Sequence, residues 1–331
     1  MQLPKMTDRN STMTRLFQKP FQLGNLNLAS RLIQGPLAGF SCAPFRALFS
    51  HYQAPAYCVT EMLSAHDVLY KHHGHSRYLF RAEQEKLLCY QIAGSDPQLM
   101  AQAAVRLEAL GADLIDLNCG CPKPKIRKKG AGSALLAEPS KLCQIVAAVR
   151  NRISIPLTVK IRLQGDLADT QLAKQIEEAG ADALIVHGRH WTQDYDQPVN
   201  LQQIARIKQI LNIPVIANGD IADQASLATA QHESGCDAYM ISRAGTGKPW
   251  LYQELLNSEK ITVDETTLKN LFLSHLQALA DLEDDYKAML QSKSLFRYYF
   301  KPWLSAEQLQ QFYALDCLSS IERFLKQIVF F

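Results

Sequence analysis

Between about residue 30 and residue 250, short apolar runs alternate with longer stretches of helical period. The runs are RLIQ (31–34), AYCVT (56–60), LLCYQI (87–92), LIDLN (114–118), LTVKI (157–161), ALIVHG (183–188), PVIAN (214–218) and AYMIS (238–242). Each is too short for a helix and too continuously apolar for a strand with one face in water, so each reads as a strand buried on both faces of a parallel sheet. Helical stretches separate them, as over Ala43 to Tyr52, and from the capping sequence Ser95-Asp96-Pro97 to Leu110. Eight strands alternating with helices predict an α/β fold of the TIM (β/α)8 barrel type rather than an open doubly wound sheet.

A weak repeat supports that reading. Gly111-Ala112-Asp113, Gly180-Ala181-Asp182 and Gly235-Cys236-Asp237 each follow a helical pattern and precede an apolar run, so the unit is helix, glycine stop, strand. FQLGNLNL (21–28) alternates around Gly24 like a hairpin capping the barrel base, and His66 to Arg81 has no clean period and reads as a loop over the mouth. After Pro249-Trp250 the strand-like runs stop and helical periodicity takes over, as in Leu268, Leu271, Phe272, Leu276 and Leu279. The predicted organisation is a loose extension over 1–15, a barrel over 16–250 and a small all-helical C-terminal domain over 251–331, ending in a packed Phe330-Phe331.

Composition narrows the class without naming it. The chain has 331 residues, 47% of them apolar, enough for a large core, and a net charge of +3 that does not by itself announce a nucleic-acid binder. From Leu251 onward Asp and Glu outnumber Lys and Arg, so any nucleic-acid surface there is a local face. The candidate is Lys293, Arg297 and Lys301, four apart on one helix among Phe296, Tyr298, Tyr299 and Phe300. The N-terminus has no apolar segment of signal-peptide type, no run is long enough to span a membrane, and the eight cysteines lack paired spacing apart from Cys119 and Cys121. A reduced, cytoplasmic protein is expected, a monomer, with no metal: the cluster His72, His73 and His75 has no distant partner of ligand spacing.

Chemistry in a barrel gathers at the C-terminal ends of the strands. Those ends carry Pro36, Leu37 and Ala38; Glu61; Gln91; Asn118 with Cys121; Lys160 with Arg162; His187 with Arg189; Asn218, Gly219 and Asp220; and Ser242 with Arg243. The last two groups follow strands after which barrels often bind phosphate. Lys160 suits the N1/C2 edge of a reduced flavin, and since no G-x-G-x-x-G follows any strand, flavin mononucleotide fits better than a dinucleotide. Cys121 precedes Pro122 and the basic run Lys123, Lys125, Arg127, Lys128 and Lys129, which suggests acid or nucleophile chemistry on an anionic substrate. An acid cysteine must keep its proton, so the run should not lie directly against its sulfur. Cys119 reads as a packed thiol, and Glu61 as a structural partner of Arg46.

These stretches together resemble the tRNA-dihydrouridine synthases. The resemblance rests on PLAG (36–39), QIAGSDP (91–97), LNCGCP (117–122), GAGSALL (130–136), LTVKIR (157–162), VHGR (186–189) and PVIANGDI (214–221), and more loosely on FRYYFKPWL (296–304). It implies an FMN enzyme that reduces a D-loop uridine of tRNA with NADPH as reductant. By the same resemblance Cys121 is the general acid at C5, and Asn118, with Arg162 or Arg189 near it, holds the base. Pro36, Leu37, Ala38, Gln91, Lys160, His187, Asn218, Gly219, Asp220, Ser242 and Arg243 hold FMN, and the basic run and the helical domain face tRNA. The chain departs from the family at Ser242, usually glycine, at LQGD (163–166) and at His190-Trp191. An FMN reductase of free pyrimidines shares the fold but needs neither the helical tail nor the basic run. An RNA-binding protein without catalysis would not need Cys121, Lys160, His187 and Arg243.

Overall fold

The computed structural model describes residues 16–329. The expected extension over 1–15 and the Phe330-Phe331 end lie outside the described residues. Strands β1 (Phe21–Leu23) and β2 (Leu26–Leu28) form the antiparallel hairpin. Nine parallel strands follow: β3 (Leu32–Gln34), β4 (Cys58–Val59), β5 (Leu63–Ser64), β6 (Leu88–Ala93), β7 (Leu114–Cys119), β8 (Leu157–Leu163), β9 (Ala183–His190), β10 (Val215–Asn218) and β11 (Ala238–Ile241). Pairing runs from β3 through β4, β6, β7, β8, β9 and β10 to β11 and back to β3, which closes an eight-stranded ring. The two-residue β5 extends β4 along β6. Helices such as Pro97–Ala109, Pro139–Arg150 and Asp166–Glu178 connect successive strands around the outside, which makes the fold a TIM barrel.

Alternate residues of a strand face the barrel interior, and here they change character with height. Near the base they are Ile33, Val59, Cys89, Leu114, Ala183, Ile185, Ile216, Ala238 and Met240, one apolar cluster to which the hairpin adds Phe21, Leu23 and Leu28 as a plug. Two residues further along the same parity come Gln91, Asp116, Thr158, His187 and Asn218, then Asn118, Lys160 and Arg162. The registers Gln91↔Asp116, Asp116↔Thr158, Asn118↔Lys160 and Arg162↔His187 place these neighbours side by side. The interior is thus dry at the base and polar at the mouth.

The three Gly-x-Asp repeats have one structural job. Gly111, Gly180 and Gly235 take positive φ (89°, 99° and 59°), and each following aspartate accepts a hydrogen bond from the first residue of the preceding strand. These bonds are Leu88 N to Asp113, Leu157 N to Asp182 and Val215 N to Asp237, all 2.8 Å. A cation sits on each carboxylate: Arg81 at 2.9 Å, Arg150 at 2.6 Å and Lys208 at 2.7 Å. The strand starts are clipped in pairs.

The segment His66 to Arg81 is not wholly loop, since Ala65–Tyr70 is helical. The boundary after the barrel also differs from the sequence expectation. Leu251, Tyr252, Leu255 and Leu256 of helix Leu251–Asn257 pack into the barrel core, and Tyr252 donates its hydroxyl to Gln34 Oε1 at 2.9 Å, so the chain leaves the barrel after Asn257 rather than at 250. The helices Glu265–Leu282, Asp285–Phe300, Ala306–Ala314 and Leu318–Gln327 then share a second core around Phe272, Phe296, Phe300 and Phe312, which also takes in Cys42 and Trp250.

Two features dock this helical segment over the mouth. Arg77 joins Glu61 (2.9 Å) to Glu283 (2.5 Å) and Gln291 (2.7 Å), while Glu61 accepts from Gly39 N at 2.7 Å. Glu61 is therefore not the partner of Arg46, which pairs instead with Glu85. Gly247, at φ 73°, lets the helix Asp285–Phe300 pass so close that a Cβ there would stand 2.7 Å from the Tyr298 carbonyl oxygen. Gly247→Ala is expected to cost about 1–3 kcal/mol. Thermal melting should show a lower midpoint, and hydrogen exchange should show faster opening over 285–300 than over the barrel strands.

Candidate active site

The strand tips open into a cavity of about 1440 Å³ that runs from Pro36, Gln91 and Lys160 at the barrel mouth to Arg297, Tyr298 and Lys301 of the helical segment. Cys121 stands on its wall, half-buried and just beyond the end of β7, whereas Cys119, the last strand residue and of opposite parity to the inward Asn118, is packed in the outer core.

The turn carrying Cys121 is held from both sides. Asn118 Oδ1 accepts from the backbone N–H of Cys121 (2.9 Å) and of Gly120 (3.3 Å), the side-chain turn that asparagine favours. Gly120 lies against β8, where a Cβ would stand 3.1 Å from the Ile161 carbonyl carbon. From the other side Ser133 N donates to the Cys121 carbonyl at 3.0 Å, and Gly132, at φ 61°, permits that approach: a Cβ there would lie 2.7 Å from the same oxygen. The Asn118 amide continues inward. Its Nδ2 donates to Gln91 Oε1 (2.8 Å), Gln91 Nε2 donates to Asp116 Oδ2 (2.7 Å), and Thr158 Oγ1 donates to Asp116 Oδ1 (2.6 Å).

Burial pushes the Asp116 carboxyl up to about 6, while the bonds from Gln91 and Thr158 and the charge of Lys160 hold it down. Burial likewise brings Lys160 down to about 8, opposed by Asp116. His187 falls to about 2, through burial and then the charges of Lys160, Arg162, Arg189 and Arg243. It is a neutral imidazole among cations, and its Nδ1 is buried without a hydrogen-bond partner. Beside it Gly219 (φ 120°) and Asp220 (φ 54°) turn the backbone in a way L side chains resist, and a Cβ on Gly219 would stand 3.3 Å from His187 Nε2. Ser242 fits at the next tip because Gly35 has no side chain: a Cβ there would stand 2.5 Å from Ser242 Oγ. An unsatisfied imidazole nitrogen, a backbone cradle and the partly exposed Arg243 guanidinium suit a flat ligand carrying phosphate.

Not every expected residue faces the cavity. Arg189 is buried and is not part of the cavity lining; with two bonds of 2.7 Å to Asp220 and others to the carbonyls of Gln197 and Tyr195, it anchors Asp220 and the loop after β9. Lys293 also turns away. It donates to the carbonyls of Phe312, Tyr313 and Leu315 and so closes the end of helix Ala306–Ala314, leaving Arg297 and Lys301 as the exposed pair. The basic run divides: Lys123 and Lys125 line the cavity, Lys128 and Lys129 are exposed outside its lining, and Arg127 lies 3.7 Å over the Trp191 ring while donating to Ser133 Oγ at 2.9 Å. Arg162 lines the cavity and donates to the Gln193 carbonyl at 3.0 Å.

Sequence reasoning missed Tyr195 and placed Tyr298 only as one of the aromatics around Lys293, Arg297 and Lys301. The Tyr195 ring lies 4.1 Å from the Arg243 guanidinium, and Tyr298 lines the cavity beside Arg297. It also passed over Asp116, although one acid inside LIDLN, two residues from Asn118, was a signal of inward parity. Among the described residues no group of three or more His, Cys, Asp or Glu could hold a metal ion, and no helix is long and apolar enough to cross a membrane.

The His187 shift makes stability depend on pH. Its folded pKa lies below its unfolded value, so between about 6.5 and 2 the unfolded chain binds a proton that the folded chain refuses, and folding weakens as pH falls through that window. In cofactor-stripped protein, denaturant titrations at pH 7 and pH 5 should show the wild type losing about 1–2 kcal/mol more than His187→Gln.

Comparison with known proteins agrees with this geometry. The family model described as dihydrouridine synthase (Dus) matches residues 33–318. The tRNA-dihydrouridine synthase B of Vibrio parahaemolyticus is 36% identical over 304 residues, covering 89% of this chain and 94% of its own. That of Pseudomonas aeruginosa is 38% identical over 237 residues, 71% of each chain. A probable tRNA-dihydrouridine synthase 1 of Synechocystis is 35% identical over 89% of this chain and 85% of its own. Among solved structures, an old yellow enzyme homologue from Zymomonas mobilis shares the fold at TM-score 0.53 and 13% identity, over 75% of this chain and 94% of its own. With the barrel, the Cys121 turn and the cationic strand tips in place, these matches establish that the chain belongs to the dihydrouridine synthase family and is a flavin-dependent oxidoreductase.

Proposed function

We propose that this protein reduces the C5–C6 double bond of a D-loop uridine in tRNA, with FMN bound at the strand tips and NADPH as reductant, acting in the cytoplasm as a monomer. One observation carries the reading: Cys121, the cationic strand tips and the exposed Arg297 and Lys301 all border a single cavity. A proton donor, a cofactor cradle and a polyanion surface thus share one space. A wall of it is helical segment carrying the exposed Arg297 and Lys301, which favours tRNA over free pyrimidines.

Gly219, Asp220, Ser242 and Arg243 would receive the FMN phosphate, and Lys160 and His187 the flavin ring, with Pro36, Leu37 and Ala38 beside them. Bound FMN, reduced by NADPH, supplies the hydride that uracil receives at C6. Cys121 holds the proton that C5 requires, at a sulfur whose turn is fixed by Asn118 and Ser133. The Asn118 amide is committed to Gln91 and to the Cys121 turn, so its part is to hold the acid, and Arg162 offers donors for the base carbonyls. The base must leave the folded tRNA to reach this depth. Lys123, Lys125, Arg297 and Lys301 would meet phosphates along the cavity rim.

Position-resolved mass spectrometry of unmodified tRNA incubated with the protein and NADPH should find dihydrouridine in the D-loop, at a rate lowered about 10²-fold or more in Cys121→Ala. A protein whose flavin NADPH bleaches but which forms no dihydrouridine would refute the reading. For Arg297→Ala/Lys301→Ala, tRNA binding should weaken and the slope of log affinity against log salt should flatten by about one unit per lost phosphate contact, with flavin reduction by NADPH unchanged.

A further inference from the structure

Three buried groups, Thr158, Asp116 and Gln91, and the half-buried Asn118 stand in line beneath Cys121, and the line has a direction. Asp116, fully buried, takes donors on both oxygens, from Thr158 Oγ1 (2.6 Å) and Gln91 Nε2 (2.7 Å). An ionised carboxylate only accepts, so Gln91 must turn its NH₂ inward, which leaves its Oε1 facing Asn118. Asn118 must then direct its NH₂ at Gln91 (2.8 Å), which leaves Oδ1 to accept from the Cys121 N–H (2.9 Å). An amide can be reversed end for end at little steric cost; here each choice follows from the one before it, and the first is made by the carboxylate. Lys160, on the neighbouring strand one layer above Asp116 and level with Asn118, favours the charged form that sets the direction.

We infer that Asp116 is a positioning residue for the reduction: it fixes the donor-to-acceptor order of the Gln91–Asn118 relay and thereby holds the Cys121 turn in the one orientation that presents its thiol to the cavity. The inference rests on the reading of Cys121 as the acid. Asp116→Asn keeps the size but no longer imposes a direction: with its oxygen toward Gln91 its NH₂ meets Thr158 Oγ1 as acceptor, and with its NH₂ toward Gln91 the relay reverses and sets the Asn118 NH₂ against the Cys121 N–H. Asp116→Asn/Gln91→Glu moves the acceptor-only group one place along: the carboxylate now at position 91 accepts from the amide at position 116 and from Asn118 Nδ2, and Oδ1 of Asn118 again faces Cys121.

The test is amide hydrogen exchange of Gly120 and Cys121 in the flavin-loaded protein, with kcat and KM for tRNA measured in parallel. Asp116→Asn should speed exchange about tenfold, the effect of one lost hydrogen bond, and lower kcat with KM for tRNA nearly constant. The double variant should recover the exchange protection, which is its only readout because Gln91 also lines the cavity. Thr158→Val, which removes a donor from Asp116 without touching the relay, should leave exchange within about twofold of wild type. If Asp116→Asn does not fold, Gln91→Met breaks the relay at its middle and should give the same rise in exchange. Wild-type exchange in Asp116→Asn, or in Gln91→Met where Asp116→Asn does not fold, or a double variant no better protected than Asp116→Asn, overturns the inference. Full activity in Cys121→Ala would instead remove the acid assignment while the exchange results still judge the relay.

Discussion

A carboxylate inside a closed barrel has no bulk water to turn to, so each of its oxygens must find a donor from a neighbouring strand. Asp116 meets that demand with Thr158 and Gln91 at hydrogen-bond distance and with Lys160 as countercharge. The match is possible because the β6–β7–β8 register places Gln91, Asp116 and Thr158 side by side at one height. Removing one partner of such a group typically costs about 3–5 kcal/mol, roughly a third of a domain's net stability. The strand register, the direction of the amides above it and the orientation of the Cys121 turn are for this reason one problem with one solution.

The same constraint governs the mouth. His187 stays neutral because burial and the surrounding cations forbid a further charge, while Arg189 commits its guanidinium to Asp220 and to loop carbonyls rather than to solvent. The helical segment is tied in by Arg77, whose carboxylate partners come from the barrel and from helix Glu265–Leu282 and its end, and by the close passage at Gly247. The cavity wall built by Arg297, Tyr298 and Lys301 is therefore held in a set relation to the strand tips.

Much of this was legible in the chain. Buried parallel strands write themselves as continuous apolar runs, and the Gly-x-Asp starts marked three of the eight, so the barrel followed from counting. Strand tips in a barrel converge, so the polar residues at their ends were legible too. What a residue type cannot reveal is the partner it engages. Asn118 and Arg189 sit at strand tips as expected, yet the first serves the Cys121 turn and the second serves Asp220. Lys293 shares a spacing of four with Arg297 and Lys301, but eight residues of helix drift by about 80°, which carries it to the end of the neighbouring helix. Tyr195 lies in the polar stretch HWTQDYDQP, where no period distinguishes an aromatic that meets Arg243 from one that meets water.

The three aspartate clips have a consequence for how the ring is assembled. Each joins residues 22 to 25 positions apart, whereas the β11–β3 contact that closes the barrel, with Arg31 reaching the Asp237 carbonyl, spans 206. Loop-closure entropy grows with the logarithm of the span, so final closure costs about 2 kcal/mol more than a clip before any packing is gained. The chain is consequently biased to fold as a file of strand pairs, each already tethered at its base, with the circle completed last.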